Sequence, residues 1–152
     1  MPDSEWDEML AVAAGEVLET MFFTAVYGPA QADGPPAEPR VAARLDFEGT
    51  PSGALTLSVS EPAARALAAN FLASGDEAGP LPVSQLGSVV CELANMICGS
   101  LLSHVKIEEH FRLSSPELLP EGAACPPGPP SRSLDVGDGI VDLWLALEHR
   151  AN

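Results

Sequence analysis

Basic side chains are scarce in this sequence: Lys and Arg number 7 against 22 Asp and Glu, a formal charge of −15. A chain this acidic is repelled at long range by nucleic acid and by anionic membrane surfaces, so neither is an expected partner. Cysteine is sparse and odd in number, with Cys91, Cys98 and Cys125. Two of them lie seven residues apart on one apparent helix, too far to bridge, so no disulfide framework is expected. The spacings also lack close cysteine pairs, a His-x-Glu or a His-Glu-x-x-His run, and no metal site is expected. No uninterrupted apolar run approaches the length of a membrane span. The opening MPDSEWDEML is acidic where a secretory signal would be basic, so the expected compartment is the cytosol. A length of 152 residues fits a single domain over 1–152, large enough for a real core.

What the chain does have is one long two-faced helix. From Val83 to Val105, Leu86, Val89, Val90, Leu93, Ile97 and Leu101 fall on one broad arc at helical spacing and must face a core. On the other side Ser88, Glu92, Asn95 and Gly99 recur at spacings of four, three and four, a narrow polar stripe. Its last member is a glycine inside a helix, which costs about 1 kcal/mol relative to alanine and points to close approach by another backbone or a partner.

The remaining elements read in order. Ser4 with Asp7 resembles a capping box, and Trp6, Met9, Leu10, Val17, Leu18, Met21 and Phe22 mark the apolar side of a first helix, expected from about Ser4 to Val26. Gly28 and Pro29 open a Pro/Gly-rich loop. Val41, Ala43, Leu45 and Phe47 alternate with polar or small neighbours, as do Leu55, Leu57 and Val59, so 41–59 reads as an antiparallel hairpin. Ser60 and Pro62 start a short alanine-rich helix to about Ala73, anchored by Leu67 and Phe71. After the long helix, Glu108 to Leu113 reads as a strand that Ser114-Ser115-Pro116 breaks or bends. Residues 120–130 are too rich in Pro and Gly to pack and are expected to be exposed and mobile. A last hairpin joins Ser133–Val136 to Ile140–Glu148, with Val141, Leu143, Leu145 and Leu147 on one face. This order favours an α+β fold: a mostly antiparallel sheet of about five strands with helices packed on it.

Glu92 and Asn95, three residues apart on a helix, point the same way: a carboxylate able to grip a cation and an amide able to hold a water. No nucleophile with an adjacent base accompanies them, so any reaction must borrow parts from a partner. A Glu and an Asn on the outer face of a helix are ordinarily solvated surface; here they occur together with Ser88 and Gly99 on one stripe. His104, His110 and His149 are scattered and read as surface or structural, and Trp144 and Phe111 as core or interface aromatics. Asp135 and Asp138 around the Gly-Asp-Gly turn do not complete a calcium loop.

The stripe resembles the signature of the CheC, FliY and CheX phosphatases: Asp or Ser, three residues, Glu, two residues, Asn, and a Pro about two dozen residues on. Here these are Ser88, Glu92, Asn95 and Pro116, and the runs ELANMICGSLL, AAGEVLETMFFTAV and FEGTPSGALTLSV are also similar to this family. The first helix offers Glu16 and Glu19 but no Glu-x-x-Asn, so the chain resembles one-site CheX more than two-site CheC. The resemblance implies the CheX fold, a symmetric homodimer, and a phosphatase acting on the aspartyl phosphate of a CheY-like response regulator. It implies catalytic roles for Asn95, which orients the attacking water, and Glu92, which pairs with the partner's lysine. Ser88, Gly99 and Pro116 are the implied binding positions. The chain needs no cofactor of its own on this reading, because Mg²⁺ belongs to the partner receiver domain. Positioning and electrostatics carry most of phosphoryl transfer, which suits two such residues. Two competing expectations are a non-catalytic module of the same fold that binds a receiver or a flagellar-switch component, and a structural dimer pairing edge to edge through Ile140–Leu147.

Overall fold

The structure, a computed structural model, describes residues 3–29, 40–49, 52–72, 83–104, 111–119, 130–137 and 139–147. Its elements in chain order are α1 (Asp3–Met21), β1 (Gly28–Pro29), β2 (Arg40–Glu48), β3 (Gly53–Ser60), α2 (Glu61–Leu72), α3 (Val83–His104), β4 (Arg112–Leu113), β5 (Glu117–Leu118), β6 (Arg132–Asp135) and β7 (Ile140–Leu147). All strands join one antiparallel sheet in the order β1-β6-β7-β3-β2-β4, with β5 also paired to β2. The α+β expectation holds, and the count exceeds five only because β1, β4 and β5 are two-residue pieces.

Period-two patterning explains the sheet. Ala43, Leu45 and Phe47 of β2 lie in register with Leu57, Leu55 and Gly53 of β3, and Leu57 and Leu55 with Leu143 and Leu145 of β7. This row faces the helices and is buried together with Trp6, Leu10 and Leu18 of α1, Leu67 of α2, and Leu93 and Ile97 of α3. The intervening residues form the other face. There Arg40 donates to the Ser58 hydroxyl at 2.7 Å and to Asp142 at 2.8 Å, while Ser133 donates to the second Asp142 oxygen. The pair ties β2 across β3 to β7 and so holds the register that a one-residue slip would destroy.

Three expectations need correction. The first helix ends at Met21, not near Val26, because Phe23 takes a left-handed φ of 51°. That turn swings Phe22 into the core, where it stacks on Phe71 at 4.7 Å, and Thr24 N–H caps the Leu18 carbonyl at 2.9 Å. Ala13 and Ala14, not Met21, complete the buried side; Met21 is 46% exposed. The chain then runs on so that Tyr27 N–H donates to the Asp135 carbonyl at 2.8 Å and Gly28–Pro29 adds a strand to β6 where a loop was expected.

Second, β7 is an interior strand between β6 and β3, so its backbone is already paired and Ile140–Leu147 offers no edge for a second copy. The apolar composition that suggested an edge is that of a strand facing the core. Third, α3 does match a membrane span in length and composition over the 20 residues Gln85–His104. More than half of that stretch is buried, because the helix crosses the core against the sheet and α1.

Other readings hold with refinement. Ser114-Ser115-Pro116 does interrupt the edge strand, but pairing resumes beyond it: Ser114 N–H donates to the Asp46 carbonyl and Leu119 N–H to that of Ala42, each at 2.8 Å. Phe111 packs edge-on against Phe47 at 6.0 Å, while Trp144 is half-buried opposite Thr56. The expected mobile stretch 120–130, apart from Pro130, lies outside the described residues, as do Cys125, Asp138, His110, His149 and the first half of the strand expected over 108–113.

Candidate functional site

The stripe on α3 owes its position to the other side of the same helix. Leu86, Leu93, Ala94, Ile97, Cys98 and Leu101 are all 0% exposed, which fixes both the rotation of the helix and the direction of what it presents. Outward, Ser88, Glu92 and Gly99 are exposed and Asn95 is half-buried. Ser88, Glu92 and Gly99 lie close to the centre of the open arc, with Asn95 tilted towards the flank that carries Gly87 and Cys91.

That flank faces β5. Leu118, 47% exposed, lies so close over Gly87 that a Cβ there would be 2.7 Å from its Cδ2. Pro116, two residues before Leu118, is half-buried at the bend between β4 and β5. The fold thus brings the bend that carries Pro116 beside the N-terminal half of α3. Leu118 and Gly87 escaped the sequence reading, although a glycine in a buried helical position was a signal of close packing. The opposite flank faces α1: His104 Nε2 and Glu16 Oε2 are 3.2 Å apart, a link between residues distant in sequence.

Among the described residues, neither the Glu92 nor the Asn95 side chain makes a hydrogen bond or an ion pair. Both side chains thus keep their hydrogen-bonding groups open among the described residues. Glu92 acts on the neighbouring Cys91, whose thiol is pushed up by burial and then by the Glu92 carboxylate. Cys98 is pushed up further, to about 12, by burial. Both cysteines are free, and both are thiols at neutral pH. A cysteine phosphatase works through a depressed thiol pKa, the opposite of the shift at Cys91.

The same coupling gives a prediction. Glu92→Gln removes the negative charge that holds the Cys91 proton, so its pKa falls and its thiolate fraction at pH 8 rises. Iodoacetamide should label Cys91 severalfold faster in Glu92→Gln than in the parent, both in a Cys125→Ser background, while Cys98 stays unlabelled until unfolding. Equal rates would show that the carboxylate does not face the thiol.

These features define an α+β domain with one polar helix face on which, among the described residues, no nucleophile is paired with an adjacent base. The chain belongs to the CheX family: the family model for chemotaxis phosphatase CheX matches residues 41–124, more than half of the chain. That span includes Glu92, Asn95 and Pro116. Similar solved structures share the fold. The chemotaxis protein CheX of Vibrio vulnificus is 18% identical, with 94% of this chain and 96% of that one covered and a TM-score of 0.72. A CheX of Desulfovibrio desulfuricans is 17% identical over 94% and 99%, with a TM-score of 0.70. The CheX of Borrelia burgdorferi, solved with CheY, BeF₃ and Mg²⁺, is 15% identical over 92% and 96%, with a TM-score of 0.65. No functionally curated protein matches the sequence.

Proposed function

We propose that this chain removes the phosphoryl group from the aspartyl phosphate of a CheY-like receiver domain in the cytosol. The observation that carries the reading is an exposed carboxylate and a half-buried amide one turn apart on a core-locked helix, neither with a side-chain partner among the described residues. Family membership and the CheY-bound Borrelia relative support the kind of partner.

In this reading α3 enters the receiver's phosphorylation pocket. The Asn95 side-chain carbonyl accepts from a water and aims its oxygen at phosphorus opposite the acyl oxygen, while Glu92 pairs with the receiver's lysine and fixes the docking angle. The new P–O bond forms to water and the bond to the aspartyl oxygen breaks, leaving inorganic phosphate and a free carboxylate. Mg²⁺, held by the receiver, neutralises the charge on the phosphoryl oxygens. Ser88 and the Pro116 bend border the contact. The measurement is loss of acyl phosphate from a charged receiver domain with the parent and with Asn95→Ala. Equal rates remove the catalytic claim, and binding without any turnover selects a non-catalytic receiver-binding module.

The symmetric homodimer is likewise a proposal. With β7 interior, pairing through the sheet would have to use an outer strand, β4 with β5 or the margin at β1 and β6. Sedimentation velocity tests it, and a monomer at micromolar concentration would exclude it.

A further inference from the structure

Among the described residues, nothing in the fold requires glycine at position 99. It lies inside α3 with right-handed helical backbone, and a Cβ built on it would meet nothing within 4 Å. Gly15 of α1 apart, the glycines in other described elements and turns have a visible reason. Gly87 accommodates Leu118, Gly53 would place a Cβ 2.3 Å from the Ala146 carbonyl oxygen, and Gly137 holds a φ of +90°. Helical glycine is unfavourable relative to alanine, so at Gly99 the free chain bears a cost that neither packing nor conformation repays.

We infer that Gly99 is a clearance position for docking: the missing side chain lets the receiver's backbone settle on α3 one turn beyond Asn95, so that the amide reaches full depth. This rests on the phosphatase reading. Gly99 is seven residues past Glu92, two turns on and nearly in line with it, so a partner engaging Glu92 and Asn95 must pass over it or against it. A methyl group there would stand between the surfaces while Asn95 is being positioned, and small displacements of a positioning group cost rate steeply.

The structure supplies a matched control. Gly15 of α1 is also helical and also has nothing within 4 Å of an added Cβ. It lies about 100° around α1 from Glu16, the residue that reaches α3, and on the side away from it, since Ala13 and Glu16 line the near flank. Gly15→Ala and Gly99→Ala should each raise Tm by about 2–4 °C, the shift expected for replacing a helical glycine in a chain of this size.

Only Gly99→Ala should affect turnover. With receiver domains from the same genome charged by acetyl phosphate and Mg²⁺, it should lower kcat/KM about tenfold with kcat itself falling, and Gly99→Leu should lower it further. Asn95→Ala is run in parallel. If Asn95→Ala loses activity and Gly99→Ala behaves as Gly15→Ala does, the clearance role is overturned and the phosphatase reading stands. If no receiver is dephosphorylated faster by the parent protein, both are overturned.

Discussion

Asn95→Ala should slow dephosphorylation of the cognate receiver at least a hundredfold while leaving Tm within about 2 °C of the parent. The kinetic part follows from what the amide does in the proposed complex. Alanine cannot hold the water, and a factor of one hundred corresponds to only about 2.7 kcal/mol of barrier, within the range seen when one positioned polar group is removed from a reacting centre. The stability part follows from the fold: the Asn95 side chain is half-buried and makes no hydrogen bond among the described residues, so nothing internal is left unsatisfied. Alanine also has the higher helix propensity. Binding of a receiver locked with beryllofluoride should persist, since docking draws on Glu92 and the surrounding surface as well. A variant that keeps full activity, or that loses activity only because it has unfolded, would contradict this account.

Leu93→Ala, one residue from Glu92, should have the opposite profile: a loss of about 3 kcal/mol in stability and a fall in Tm of roughly 6–12 °C. Leu93 is 0% exposed in a core shared by α3, α1 and the sheet, where removing three carbons costs their transfer energy and leaves a cavity. Thermal unfolding followed by circular dichroism checks it. A change below about 1 kcal/mol would mean that α3 is not locked by its buried arc, and the precise aim ascribed to the stripe would lose its basis. Folded Leu93→Ala, assayed well below its Tm, should keep most of its turnover, because Leu93 points away from the partner. Adjacent positions on one helix thus separate stability from activity.

The strong acidity bears on encounter. Glu5, Glu8, Glu16 and Glu19 are exposed on α1, Glu16 within reach of His104 at the end of α3, so long-range steering towards the acidic pocket of the proposed receiver partner is unfavourable. Affinity must come from contact at short range. This is why small features of the surface, such as the bare helix at Gly99 and the Leu118 side chain seated over Gly87, have weight in the docking argument.

Much of the arrangement was legible in the residues because two periods carry it. Alternation in 41–47, 55–59 and 141–147 declares strands with one face inward, and the 3.6-residue repeat over Leu86–Leu101 declares which side of α3 is free. Since burial follows period, Glu92 and Asn95 could be placed on the open side without coordinates. The end of α1 was not legible. Its apolar pattern continues through Phe22 and Val26, and what stops it is the stacking of Phe22 on Phe71 and the pairing of Tyr27 with Asp135, contacts between segments far apart in sequence.

The sequence alone therefore determined the identity and facing of the three helices and of the long strands β2, β3 and β7, and the make-up of the polar stripe, because these depend on local spacing. Only the tertiary structure decided that β7 is interior, that β5 returns to β2 beyond the Ser-Ser-Pro break, that Leu118 covers Gly87 and that Gly99 is left bare. Strand order and the company a surface residue keeps are set by packing between distant segments, and no local pattern encodes which neighbour wins.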